Sequence, residues 1–467
     1  MSGYARLVAA VSSSAVLLLA MLLPGTSSAG GNTPVPVTFG PNIDLNVNNV
    51  PQRETTVAVN PKDPKNIVVG NIDRFSSRNT NSFSFTTDGG QTWTLGGLVP
   101  LENNSDMAQD PALAADTDGN FYYSYLDIKQ HRTDVVAAKS MDGGRSFSTL
   151  SVVHQSDPSL EVPDKDYIGA DTWPGSPFLN NLYVAWTSIE LVGYRIMVAV
   201  SRDRGITWSN PIAVSPATSS NNEALEGALP VVAPDGTVYI FYADIVFVTG
   251  PTSIRFSRSA DGGRTWSKPA AVASSLPSPG FFRLKNDDPG WDTTYPLGIL
   301  SSTLPTAAIA PGGGLFVAWV DFSNGSCAND GSISPPCTNA DVRLAFSKNR
   351  GKTWSAPVKV SDETNATDQF FPWIAIHPDG LLSLIWTDKR LDPNNINYDV
   401  FYTNTFDGST FLPNVRVTTT TALSGNLQTR IGDYNGMAVS ADGIFPAWTH
   451  MVSGTPDIFT AVGHFVK

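Results

Sequence analysis

Apolar and polar positions fall into blocks along this chain, and the blocks recur in one order. A strand of small and apolar residues is followed by a Pro/Asp/Gly turn and then by a Tyr- or Trp-rich strand that ends in an acid. Residues 110–127 (DPALAADTDGNFYYSYLD) and 226–244 (EGALPVVAPDGTVYIFYAD) carry the pattern most clearly. Seven such pairs occur, their first strands beginning near Glu54, Asp110, Asp166, Glu226, Pro305, Phe371 and Asp433. A spacing of roughly 55 to 80 residues suits four-stranded antiparallel units repeated around an axis. The pattern predicts an all-β, seven-bladed β-propeller, with six blades as the alternative.

A second repeat follows each of the first six pairs: Ser or Thr, any residue, Asp, any, Gly, any, Thr or Ser, then an aromatic. It stands at 86–93 (TTDGGQTW), 140–147 (SMDGGRSF), 201–208 (SRDRGITW) and 259–266 (SADGGRTW). It returns at 347–354 (SKNRGKTW), where Asn349 replaces the Asp, and in shortened form at 405–411 (TFDGSTF). Asp and Ser/Thr side chains hydrogen-bond within a tight hairpin turn, and Gly supplies positive φ. The closing aromatic is expected to cap the space between neighbouring sheets. Gly351-Lys352-Thr353 lacks the upstream glycine of a phosphate-binding loop and reads as a turn. The seventh pair has no such repeat, and after 457–463 the chain stops one strand short. Residues 35–47 form an orphan strand at the other end, so the N-terminal strand is expected to close the ring and remove an exposed sheet edge.

Composition agrees with many short strands: 39 glycines, 34 prolines and only 15% charged residues. Residues 1–29 read as a signal peptide, with Arg6 before an apolar run at 8–23 and the small residues Ser27-Ser28-Ala29 at its end. The remainder, 30–467, is expected to be a single secreted domain with no membrane association after cleavage, and to be a monomer. A formal charge of −12 argues against a nucleic-acid partner, because such partners need a basic face. Export makes a local disulfide the expected state of the two cysteines, Cys327 and Cys337. The widest gap between strand pairs holds an insertion at 276–300, either a lid over the mouth or an irregular surface loop.

With its six copies the octapeptide is identified as the Asp-box, and the chain resembles the sialidase (neuraminidase) superfamily over nearly all of its mature length. The resemblance implies catalysis at the starts of innermost strands and in the loops after second strands. Arg53, in Arg53-Glu54-Thr55, stands where the family has its first arginine, and Asp73-Arg74 stands where an acid followed by arginine is expected. Glu226 matches the glutamate that assists the nucleophile. The match is partial. Residues 76–85 hold Asn79 and Asn81 but no acid, Asp244 replaces an arginine, and Phe370-Phe371 offers no nucleophilic tyrosine. The nearest tyrosine is Tyr434, in Arg430-Ile431-Gly432-Asp433-Tyr434.

If strand starts and second-strand ends share one face, Glu54, Asp73, Asp110, Asp127, Asp166, Glu226, Asp244, Asp321, Asp388 and Asp433 converge on one mouth. Arg53, Arg74, Arg390 and Arg430 interleave with them. Three readings stay open: acid/base chemistry on a sugar, Ca²⁺ binding by several oxygens, or acids that satisfy their own backbone. The histidines show no metal spacing, and no other cofactor is expected. The functional expectation is a sialidase-like protein acting on extracellular glycans as a glycoside hydrolase. Glu226, Tyr434, Asp433 and Asp73 are its candidate catalytic residues, and Arg53, Arg74, Arg390, Arg430, Asp110 and Asp244 would bind substrate. The alternative is a non-catalytic glycan- or protein-binding propeller, with or without Ca²⁺.

Overall fold

The computed structural model describes residues 33–45, 50–75, 78–220, 222–247, 250–285, 298–424, 430–452 and 455–466. The leader at 1–29 lies outside the described residues, as do 286–297 of the insertion. Every regular element among the described residues is a β-strand. Seven antiparallel sheets follow one another, and their innermost strands are Gln52–Asn60, Met107–Ala115, Glu161–Ala170, Glu223–Val232, Thr306–Ile309, Gln369–Ile376 and Gly436–Val439. Each of these neighbours the next, and the last lies beside the first, so the sheets stand around a common axis. This is the architecture of a β-propeller.

Second strands fill the space between sheets. Trp186, Trp319, Trp386 and Trp448 are fully buried there, as are Tyr122, Tyr123, Tyr239 and Tyr242. Large rings suit this place because sheets stacked face to face leave a layer about 10 Å thick. The seventh sheet takes its fourth strand from the other end of the chain: Ile43–Asp44 pairs with Thr455–Thr460, and Val37–Phe39 pairs with Gly463–Phe465.

Each octapeptide folds into the turn between the third and fourth strands of its sheet. In the second sheet Asp142 Oδ1 accepts from Arg145 N and Ser146 N, both at 3.0 Å, and Oδ2 accepts from Ser146 Oγ at 2.6 Å. Ser140 Oγ in turn accepts from Gly144 N at 2.9 Å. The turn also reaches the preceding sheet, where Asn66 Nδ2 donates to Gly143 O at 2.8 Å. Arg202 does the same for Gly262 O at 2.9 Å, two sheets further on. The repeat therefore both closes its own hairpin and latches it to its neighbour.

Residues Phe281–Lys285 and Gly298–Ser302 join Ser326–Cys327 and Pro336–Thr338 in a separate small sheet outside the ring. Cys327 and Cys337 face each other across two of its strands and form a disulfide. The described parts of the insertion and the cysteine loop are thus one structure, a relation that their separate positions in the sequence conceal.

Candidate active site

Five innermost strands carry the same irregularity. Their pairing with the second strand slips between Arg53 and Thr56, Gln109 and Ala112, Asp164 and Tyr167, Glu226 and Leu229, and Phe370 and Trp373. At each slip one residue takes positive φ: Glu54 (56°), Asp110 (51°), Lys165 (49°), Gly227 (73°) and Phe371 (51°). Such bulges re-aim side chains out of the alternating register of a strand. Four of the five positions are not glycine, and each left-handed residue costs on the order of 1 kcal/mol that the surrounding packing must offset. The bulges turn Glu54, Asp110 and Lys165 into one cluster, which Asp433 and Tyr434 join from the segment before the seventh sheet.

Lys165 is its centre. Its Nζ lies 2.8 Å from Asp433 Oδ2, 3.8 Å from Asp110 Oδ1 and 4.9 Å from the centre of the Tyr434 ring. Arg430 holds the other Asp433 oxygen at 3.0 Å, and Arg53 Nε stands 3.8 Å from Glu54 Oε1. Glu54, Asp110 and Asp164 crowd together, so that the charge of Asp110 raises Glu54 and that of Asp164 raises Asp110. Exposure falls along the cluster from 34% at the Arg430 side chain, through 19% at Asp433, to 6% at Glu54. Arg430 and Asp433 are thus its most exposed members and Glu54 its most buried. Gly432 admits the close approach, since a Cβ there would lie 2.5 Å from Glu54 Cγ.

The protonation states separate along the same line. Burial, reinforced by Asp433 and Asp110, pushes Glu54 up to about 7 against the opposing pull of Lys165 and Arg53. Burial likewise raises Asp110 and Asp164 and takes Asp166 and Glu226 well above the carboxylate range. Asp433 moves the other way: although burial opposes it, Lys165 and Arg430 hold the group below the usual range. The site thus contains a carboxyl poised near neutrality and a carboxylate that stays ionised, the division on which acid/base pairs depend.

The residues singled out from sequence part into two groups. Glu54, Asp110, Asp433, Tyr434, Arg53 and Arg430 come together around Lys165. Glu226 belongs to the same buried charge system through Asp164, but its own hydrogen bond is with Thr187 Oγ1 at 3.3 Å. Tyr434 donates to Pro111 O at 3.3 Å, its ring packs 5.7 Å from Tyr167, and burial raises its phenol well above the ordinary value. No hydrogen bond joins Tyr434 to Glu226 among the described residues.

The acids at second-strand ends are held within their own sheets. Asp73 accepts from Gln52, Asn71 and Ser82 at 2.7, 2.8 and 2.8 Å, and the following Arg74 donates its backbone N–H to Pro51 O at 2.8 Å. Asp127 accepts from Glu102 N, Asp321 pairs with Arg343, Asp388 with Arg390, and Asp244 with Arg255. Arg390 also grips Asp362 and Glu363.

Lys165 and Asp164 are not singled out by the sequence pattern, which starts the third strand at Asp166. The available signal was register: Asp164-Lys165 occupies the place of Arg53-Glu54 and Gln109-Asp110, just before the strand turns apolar. Lys165 also bears on metal binding. Calcium asks for several oxygens facing one point, and at the axis an ammonium group holds that point. Among the described residues no group of three or more His, Cys, Asp or Glu side chains is placed to hold a metal ion.

No protein-family model matches the chain, and no curated protein matches it. Among solved structures it is similar to a protein of unknown function from Dyadobacter fermentans, at 14% identity over 92% of this chain and 99% of that one, TM-score 0.52. It is also similar to an ulvan lyase bound to its glucuronate–sulfated rhamnose substrate, at 11% identity over 89% of this chain and 94% of that one, TM-score 0.50. A Hadza microbial sialidase follows at 12% identity, 92% and 93% coverage and TM-score 0.47. At such identities the likeness is one of fold, and together with the ring of antiparallel sheets it makes the chain a β-propeller.

Proposed function

We propose that this protein is a glycoside hydrolase acting on extracellular glycans at the axial cluster. The observation that carries the reading is the pairing, in one cluster built on strained bulges, of Glu54 near neutrality with Asp433 held ionised. In this reading Glu54 donates its proton to the glycosidic oxygen as the bond to the leaving sugar breaks. Ionised Asp433 stabilises the positive charge that develops on the ring; a water then adds its oxygen to the anomeric carbon and gives its proton to the Glu54 carboxylate, which restores the acid. Lys165 is a positioning residue that keeps Asp433 ionised and limits the rise that burial imposes on Glu54. Arg53 and Arg430 supply donors for sugar hydroxyls or an acidic substituent. Tyr434 underlies the Lys165 ammonium rather than attacking the sugar, because burial keeps its phenol protonated. The ulvan lyase of the same fold is itself glycan-active, which supports the substrate class. Export after loss of 1–29 and a monomeric state complete the reading.

A screen of fluorogenic glycosides tests it. Glu54→Gln and Asp433→Asn are each expected to lower kcat by about 100-fold or more on any substrate the protein cleaves. A second reading, a non-catalytic glycan binder, is favoured by the burial of Glu54. Glycan binding without turnover of any glycoside would establish it and overturn the first.

A further inference from the structure

The structure assigns a second glycan-binding site to the groove between the third and fourth sheets, away from the axial cluster. The groove encloses about 820 Å³, room for two or three sugar rings. Tyr242 and Leu225 lie along it where the buried core between these two sheets ends, and Trp266, half-buried, lines it as well. Asp244 and Arg255 form an ion pair there from adjacent strands, Arg255 standing directly opposite Tyr242 in the ladder. Thr218 and Ser267 also line it, their hydroxyl oxygens accepting from Tyr194 N at 2.8 Å and Arg258 N at 3.1 Å and keeping a second lone pair each.

The same cross-strand acid–arginine pair recurs in the fifth sheet, and the contrast between the two copies carries the inference. There Arg343, opposite Trp319 as Arg255 is opposite Tyr242, and Asp321 have 11% and 1% of their side chains exposed, with Asp341 as a further partner. In the sixth sheet the place opposite Trp386 is taken by Phe401, and Asp388 pairs instead with Arg390 from the following turn. In the fourth sheet Arg255 and Asp244 are open at 36% and 25%. A pair closed over in the fifth sheet as a structural clasp faces the groove here, beside the half-buried ring of Trp266. A mutually neutralised Asp–Arg pair offers donors and acceptors without net charge, and an aromatic ring packs on the apolar face of a sugar. Glu223 and Lys268, one charge of each sign, also line the groove, so its charges balance, and that chemistry selects a neutral oligosaccharide over an anion or a peptide of one charge.

The site is independent of the hydrolase reading, and its test is a binding test. Wild-type protein is titrated with neutral trisaccharides (xylotriose, cellotriose, mannotriose and maltotriose) and followed by calorimetry and by saturation transfer to the sugar protons. At least one is expected to bind. Arg255→Ala and Asp244→Ala should each weaken it about ten-fold or more, the loss of one charged hydrogen-bonding partner. Both residues are partly exposed, so thermal melting should confirm folded variants. Thr218→Val, on the opposite wall, gives a variant that leaves the ion pair intact and should also weaken binding. Glu54→Gln should leave the affinity unchanged. Absence of binding by all four sugars, or binding that survives Arg255→Ala and Asp244→Ala but is lost in Glu54→Gln, would overturn the assignment.

Discussion

Glu54 and Asp433 are both carboxyl groups within reach of Lys165, yet burial dominates one and ion pairing the other. The consequence for stability has a definite sign. Glu54 in the folded protein binds its proton up to about 7, against an ordinary value of 4.5, so its contribution is complete below pH 4.5 and is lost as the pH rises through 7. Glu54→Gln is therefore expected to flatten the fall in denaturation free energy between pH 5 and pH 7.5, as measured by urea titration; an unchanged slope would contradict the assignment. If Glu54 is the proton donor, kcat should also decline above about pH 7. Asp433 behaves oppositely, and its stabilisation is lost only as the pH falls through its depressed range. Lys165→Met removes the cation shared by Asp433 and Asp110. It should cost about 3–5 kcal/mol at neutral pH, as breaking a buried ion pair does, and less in acid, where the abandoned carboxylates can protonate. Equal losses at pH 5 and pH 8 would show that the lysine is not neutralising the cluster.

The octapeptide turn and the strand bulge are the elements on which the molecule is assembled, and they lie at opposite ends of the strands. In the turn, Asp142 gathers two backbone N–H groups and two hydroxyls. The second glycine sits so close to the preceding sheet that a Cβ at Gly144 would lie 2.2 Å from Val68 Cγ2, at a φ of +80°. Gly144→Ala is thus expected to lower the unfolding free energy by about 1–3 kcal/mol, through both backbone strain and overpacking, and calorimetry would measure it. The bulges work differently: they spend backbone strain to direct polar side chains to the axis, and substituting them should alter the site more than the fold. The octapeptides were legible because the physics of the turn itself is local, each hydrogen bond between its own residues spanning at most four positions. The bulges were not, because a register slip is defined only against the partner strand.

At the scale of the whole molecule, ring closure depends on Val37–Phe39 and Ile43–Asp44, which cover the edge left by Thr455–Thr460 and place Val37 and Leu45 in the core. Removing residues 33–45 should expose that edge, lower the melting temperature by about 5 °C or more and promote association. Size-exclusion chromatography and calorimetry would test this, and an unaltered melting curve would mean that the ring does not need this strand. The small disulfide-bonded sheet stands outside the ring. Cys327→Ser with Cys337→Ser should therefore leave the main unfolding transition nearly in place while speeding amide exchange in 326–338.

The blocks of apolar residues, the tyrosine- and tryptophan-rich second strands and the repeated turns determined an all-β ring by themselves. Alternation, turn chemistry and repeat length are properties of neighbouring residues, and they do not depend on the rest of the chain. The sequence also placed Glu54, Asp110 and Asp433 at strand starts. What it could not decide was which acids meet. Second-strand acids such as Asp73 and Asp388 and strand-start acids such as Glu54 look alike in one dimension, but the former are held by donors in their own sheets while the bulges turn the latter inward. Lys165 shows the reason most directly. Its partners Asp110 and Asp433 come from other sheets, so its charge, burial and place at the axis exist only once the chain has closed into a ring.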